Sequence, residues 1–186
     1  MSAVKGALRQ EMAKRRAVAH ATVDTAPALA TLIETLRPQQ GPISFYWPIR
    51  TEIDPRPAMR ALAETHPVCL PVTQGYSPLI FRTWTEDTRM ETDGFGVETP
   101  DAEAAEVTPN TLVIPMLAFD LVCHRLGYGA GHYDRTIEAL KIRGPVTTIG
   151  FAYAAQKLSQ PLPTDPTDQA LDQIITEDGI HTPSSW

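Results

Sequence analysis

The sequence predicts an α/β fold, three-layered, with a mostly parallel sheet flanked by helices. Three observations predict it. Short apolar segments alternate with stretches of helical periodicity, the order of parallel strands and their crossover helices. The segment Leu112-Val113-Ile114-Pro115-Met116 is continuously apolar, as a strand covered on both faces is. A glycine-rich run, 125–135, lies between that segment and a helical pattern, Ile137-Glu138-Ala139-Leu140. Ligands in such sheets sit beyond the carboxyl ends of the strands.

The elements follow in order. Residues 2–20 read as a helix with Val4, Leu8 and Met12 along one face. Asp24 or Thr25 caps a second helix, with Pro27 early and Leu29, Leu32, Ile33 and Leu36 as its stripe. Residues 43–47 form a short strand, and Asp54-Pro55 opens a third helix through Thr65. Residues 68–72 and 79–84 are strands. The stretch 86–110 is acidic and poor in large apolar residues, which predicts a surface excursion. Residues 112–116 form the buried strand, 131–143 a helix, 146–153 another strand and 171–176 a last short one.

The 186 residues fit one domain, 1–186, with a sizeable core. No apolar run approaches the roughly 20 residues that span a membrane, and the first 20 residues lack the apolar centre of a secretory signal. Two cysteines, Cys69 and Cys123, make neither a metal spacing nor a disulfide framework. A cytoplasmic monomer is the expectation. A net charge of −6 argues against general nucleic-acid binding. The charge is uneven. Residues 1–20 hold Lys5, Arg9, Lys14, Arg15 and Arg16 against Glu11, whereas 159–186 hold five acids and no Lys or Arg.

Glycines alternate at Gly127, Gly129 and Gly131. Strand, glycine loop and helix in that order build an anion site: glycine lets amides approach a phosphate, and the helix start adds free N–H donors. No Gly-Lys-Ser/Thr follows, so this is not a Walker loop, and the spacing is not the dinucleotide fingerprint. A turn needing positive φ at several positions accounts for the glycines equally well. Asp134, in the first helical turn, is placed either to cap or to hold a cation. Lys5 and Arg9 share a helix face. They are solvated charges, or cations for a polyanion.

Separated segments resemble the 5-formyltetrahydrofolate cyclo-ligase family, in the family's order and over almost the whole chain. They are Lys5-x-x-Leu8-Arg9, Glu52-Ile53-Asp54, Pro115-x-Leu117-Ala118-Phe119-Asp120, the run from Arg125 to Arg135, and Leu162-Pro163 with Asp168 and Asp172. The resemblance implies a ribose-phosphate-isomerase-like layering. It also implies ATP- and Mg2+-dependent closure of 5-formyltetrahydrofolate to 5,10-methenyltetrahydrofolate, with ADP and phosphate released. Carried over by position, Lys5, Arg9, Arg125, Gly127, Tyr128, Gly129, Ala130, Gly131, His132 and Tyr133 would line the nucleotide. Arg125 and Tyr133 would serve catalysis. Trp47, Glu52 and Tyr153 would face the folate, and Asp134 and Asp172 would hold Mg2+. Lys5 is expected to be exposed, so that its loss spares stability.

The chain departs from the family pattern at three places. His132 stands where many relatives have a tyrosine, Cys123 where many have glycine, and Thr99 where many have glutamate, with Glu98 one position earlier. These touch the substrate side more than the phosphate side. A paralogue acting on another folate or amide, a nucleotide- or folate-binding module without turnover, and a sugar-phosphate isomerase stay open as alternatives.

Overall fold

The computed structural model describes residues 2–184. In chain order the elements are α1 (Ser2–Thr22), α2 (Ala26–Leu36), β1 (Ile43–Ser44), α3 (Arg56–Ala63), β2 (Val68–Val72), β3 (Ile80–Thr83), β4 (Met90–Thr92) and β5 (Glu98–Pro100). They continue with β6 (Thr111–Ile114), β7 (Ala118–Phe119), β8 (Arg125–Leu126), α4 (His132–Arg143), β9 (Thr147–Phe151), β10 (Gln173–Thr176) and β11 (Gly179–His181). Among the described residues, one seven-stranded sheet has the order β11-β10-β9-β6-β1-β2-β3. Its five inner strands are parallel, and β3 and β11 close the two edges antiparallel.

The predicted burial of β6 on both faces is what the structure has. Val113 joins one apolar cluster with Leu32 and Leu36 of α2 and Met59 and Leu62 of α3. Leu112 and Ile114 join the other, with Ile137 and Leu140 of α4. This alternation is the two-residue period of a strand between two helical layers. The end of helix α1 joins the first cluster through Ala19, but its middle packs elsewhere. Its Met12 meets Leu117, Ala118, Leu126 and Leu162, so α1 lies against the β7–β8 hairpin that continues from the carboxyl end of β6. Its first turns are tied down as well: Lys5 Nζ lies 2.7 Å from Asp165 Oδ2 and 3.0 Å from Asp168 Oδ2.

Several boundaries differ from expectation. β1 pairs over Ile43–Ser44 only. Phe45 N still donates to Cys69 O at 3.0 Å, but Pro48 lacks an N–H to continue a ladder, and the chain leaves the sheet as the loop that carries Glu52. The 86–110 excursion contains the β4–β5 hairpin, with Thr99 and Asp101 buried. The β7–β8 hairpin and β11 also went unforeseen. Strands of two or three residues are too short for periodicity to register.

Gly150 lies in the middle of the sheet, in β9. A Cβ there would touch Met116 Cε and come within 2.8 Å of Ile174 Cγ1 and 3.0 Å of Leu171 Cδ1. Gly150→Ala is expected to cost about 1–3 kcal/mol by chemical denaturation, the range for overpacking. Gly6→Ala in α1, where nothing lies within 4 Å, should be neutral or stabilising. The second prediction concerns Asp168. Burial pushes its carboxyl up, but the Asp165 N–H and the Lys5 ammonium outweigh that and hold it below the ordinary 3.8. A depressed folded pKa adds stability above the unfolded value and loses it as pH falls through the folded one. Asp168→Asn should therefore lower Tm at neutral pH, with the gap to wild type closing as the pH drops below 3.8.

Candidate active site

The run 127–131 leaves β8 and turns into α4. Gly129 has φ +106° and Gly131, at the helix cap, φ +68°, a region in which side chains are strained. The loop closes directly on α1. Arg9 Nε donates to Gly127 O at 2.9 Å, and a Cβ at position 129 would lie 3.1 Å from Arg9 Nη2. Among the described residues, neither Nη atom of Arg9 donates to a protein acceptor. Ala130 is exposed, and its carbonyl accepts Arg135 Nη2 at 2.7 Å. His132 opens α4 with its Nδ1 buried and without a partner. Its ring meets the edge of Phe95, at the β4–β5 turn, with centroids 6.3 Å apart.

Arg125 braces this loop. Its side chain is 5% exposed. Nη2 donates to Asp134 Oδ1 at 2.9 Å and Nη1 to Gln169 O at 2.8 Å. Asp134 Oδ1 also accepts Gln169 N at 3.0 Å. Asp172 Oδ2 accepts the amide and hydroxyl of Thr148 at 2.7 and 2.8 Å. Each aspartate thus keeps one oxygen outside these bonds, and no hydrogen bond joins the two. Among the described residues no three His, Cys, Asp or Glu side chains gather as a metal cage. Carboxylate oxygens are hard donors of the kind Mg2+ takes. Lys5 is not the exposed cation expected. Its two carboxylate partners give it a share in the fold, because the ammonium and both acids are already paired.

The opposite wall is built on Glu52, which is 4% exposed. Oε2 accepts Ile49 N at 2.9 Å, and Oε1 accepts the Tyr128 hydroxyl at 3.1 Å. Burial raises the Glu52 carboxyl, against the lowering pull of the Ile49 N–H and Arg16. Burial, with Glu52 next, pushes the Tyr128 hydroxyl up to about 12 and Tyr133 higher still. Tyr133 is half-buried against the α4-side cluster. Trp47 lies under Arg56, whose guanidinium carbon is 5.0 Å from the ring centroid. Tyr153 is buried with its hydroxyl 3.1 Å from His20 Nδ1.

The structure thus joins Arg9, the glycine loop, Tyr128 and Glu52 by direct contacts, and Arg125 to Asp134. Sequence reasoning missed Arg16, which is 1% exposed and donates to Tyr128 OH at 2.8 Å. A signal existed: Lys5, Arg9, Met12 and Arg16 fall on one helix face.

The departures also find places. Cys123 has φ 60°, in a turn where Asp120 Oδ1 accepts Val122 N at 3.1 Å and His124 N at 3.0 Å. That conformation is one glycine adopts without strain. Thr99 is buried, whereas Glu98 turns its carboxylate to the Thr92 hydroxyl on the hairpin's other face. Glu98 and Thr99 face opposite ways, as neighbouring strand residues do.

Known proteins bear on the same arrangement. The 5-formyltetrahydrofolate cyclo-ligase from Haemophilus influenzae is 30% identical over 178 residues, covering 91% of this chain and 88% of that protein. The Escherichia coli K12 cyclo-ligase is 28% identical over 132 residues, 67% of this chain and 71% of that one. The fold matches 5,10-methenyltetrahydrofolate synthetase from Aquifex aeolicus with a TM-score of 0.76 at 24% identity, covering 98% of this chain and 94% of the other. The synthetase from Mycoplasma pneumoniae matches at 0.71 and 24% identity, over 93% and 98% of the two chains. The family model for 5-formyltetrahydrofolate cyclo-ligases matches residues 1–177, and the chain belongs to that family of enzymes.

Proposed function

We propose that the chain catalyses ATP- and Mg2+-dependent cyclisation of 5-formyltetrahydrofolate to 5,10-methenyltetrahydrofolate, with release of ADP and phosphate. One observation carries the reading. A glycine loop of phosphate-binding form touches a buried carboxylate, through Tyr128 OH and Glu52 Oε1 at 3.1 Å. A nucleotide side and a folate side that share a wall are what transfer between two bound substrates requires.

Bound ATP supplies the phosphoryl group that makes the formyl oxygen a leaving group, and Mg2+ offsets charge on the phosphates. The remaining work is positioning and neutralisation by this chain. The amides of 127–131 and the start of α4 offer N–H donors to phosphate. Arg9 adds its two Nη groups from beneath the loop, and Lys5 exchanges its aspartates for phosphate oxygens. Arg125 pairs with Asp134, and Asp134 and Asp172 would hold Mg2+. A carboxylate has about four acceptor positions. Glu52 therefore accepts pterin N–H groups while still bonded to Ile49 and Tyr128. Trp47 and Tyr153 give the folate apolar walls.

The test is direct. Purified protein with 5-formyltetrahydrofolate, ATP and Mg2+ should show the near-ultraviolet absorbance rise of the methenyl product, and none when ATP is omitted or the metal chelated. ATP binding without turnover of this folate would sink the reading. A second test isolates the loop. Arg9→Ala should weaken ATP binding by about 1.5–3 kcal/mol, the value of a hydrogen bond to a charged group, with folate affinity little changed. Unchanged ATP affinity at constant ionic strength would remove Arg9 from the phosphate site.

A further inference from the structure

Among the described residues, Arg16 is the largest side chain the fold buries completely, at 1% exposed. A guanidinium out of water costs several kcal/mol unless it is well paired, and an apolar side chain often fills such a place with equal or better stability. Its bonds join three segments. Nε donates to Thr51 Oγ1 at 3.2 Å, Nη1 to Met116 O at 3.4 Å and Nη2 to Tyr128 OH at 2.8 Å. Nη1 also lies 3.7 Å from Glu52 Oε1.

These contacts have only one polarity. Arginine has donors and no acceptor. The Tyr128 oxygen must accept from Arg16, so its single proton must go elsewhere, and Glu52 Oε1 stands 3.1 Å away. The guanidinium carbons of Arg16 and Arg50 also lie 5.6 and 5.4 Å from the Tyr128 ring centroid. Arg16 therefore sets where a glycine-loop residue points, and that residue touches the carboxylate of the facing wall.

We propose that Arg16 is a positioning residue for folate: it fixes the direction of the Tyr128–Glu52 hydrogen bond and so presents Glu52 as an aligned acceptor. The inference rests on the reading of Glu52 as the folate carboxylate. It gives Arg16 a role separate from the phosphate contacts of Arg9 on the same helix face. Other groups act on Glu52 from Tyr46 after β1, Tyr133 of α4 and Arg50 of its own loop. None of these donates to the Tyr128 hydroxyl.

Two substitutions separate the role from mere packing. Arg16→Lys keeps a cation that only donates. Arg16→Gln brings an acceptor, so the Tyr128 hydroxyl is free to turn from Glu52. Thermal melts establish that each variant folds. Arg16→Gln should raise KM for 5-formyltetrahydrofolate roughly tenfold or more, as expected for losing a hydrogen bond to a charged group, and leave KM for ATP within about threefold. Arg16→Lys should fall between Arg16→Gln and wild type. In the double variant with Tyr128→Phe, the two effects on folate KM should overlap and not multiply. The 13C carboxyl signal of Glu52 should titrate at higher pH in Arg16→Gln than in wild type. Multiplying effects, or a Glu52 titration unchanged by Arg16→Gln, would overturn the proposal. If Arg16→Gln does not fold, Arg16→Lys with and without Tyr128→Phe completes the same cycle. Failure of the wild type to turn over the folate would sink the proposed function instead, and the Glu52 titration would still decide whether Arg16 aligns it.

Discussion

A buried guanidinium must find acceptors, and in this chain the acceptors of Arg16 come from separate parts of the sequence. Thr51 stands on the loop after β1, Met116 beyond the end of β6, and Tyr128 in the glycine loop. An apolar contact would tolerate these segments shifting by an ångström. A desolvated charge does not, because each lost bond exposes the cost of its burial. The position of α1 over the carboxyl end of the sheet is thereby fixed by chemistry and not only by the packing of Met12. Arg9, two turns nearer the N-terminus, inherits that position and reaches Gly127.

The sheet sets the rest. Parallel strands end together, so the loops after β1 and β6 open at one edge and face each other. Two apolar clusters on opposite faces hold this edge still. The uneven charge of the chain then makes sense. The basic first helix and the acidic final stretch are adjacent, with Lys5 between Asp165 and Asp168. Arg125, Asp134 and the backbone of Gln169 form a second tie from the glycine loop to the same stretch. Acids hold Lys5 and Arg125, whereas among the described residues Arg9 keeps both Nη groups free of protein acceptors.

Much of this was readable from residues. The continuous apolar run of β6 gave the two-sided sheet, because only a strand covered on both faces lacks alternation. The glycines gave the loop, and at positions 129 and 131 the structure uses their positive φ. Other features lay beyond reading for physical reasons. A hairpin of two-residue strands such as β7–β8 has no period to detect. Whether Lys5 is solvated or paired rests on acids 160 or more residues away, which no local pattern reports. Arg16 looked like one charge in a basic helix. Its burial is a property of what packs over it.

The departures from the family pattern show how this architecture absorbs change. Cys123 and His132 each stand two residues before a member of the Arg125–Asp134 pair, and Thr99 lies in β5. Cys123 occupies a left-handed turn that Asp120 secures by accepting hydrogen bonds from two backbone N–H groups. Thr99 points into the protein from β5, and the glutamate beside it is spent on Thr92 across the hairpin. His132 meets Phe95 from that same hairpin at the mouth of the loop. His132 thus meets the turn of the hairpin whose second strand carries Thr99. A change of side chain at that corner alters the shape of the entrance to the glycine loop. It leaves untouched the chain of bonds from Arg16 through Tyr128 to Glu52, which runs along the other wall.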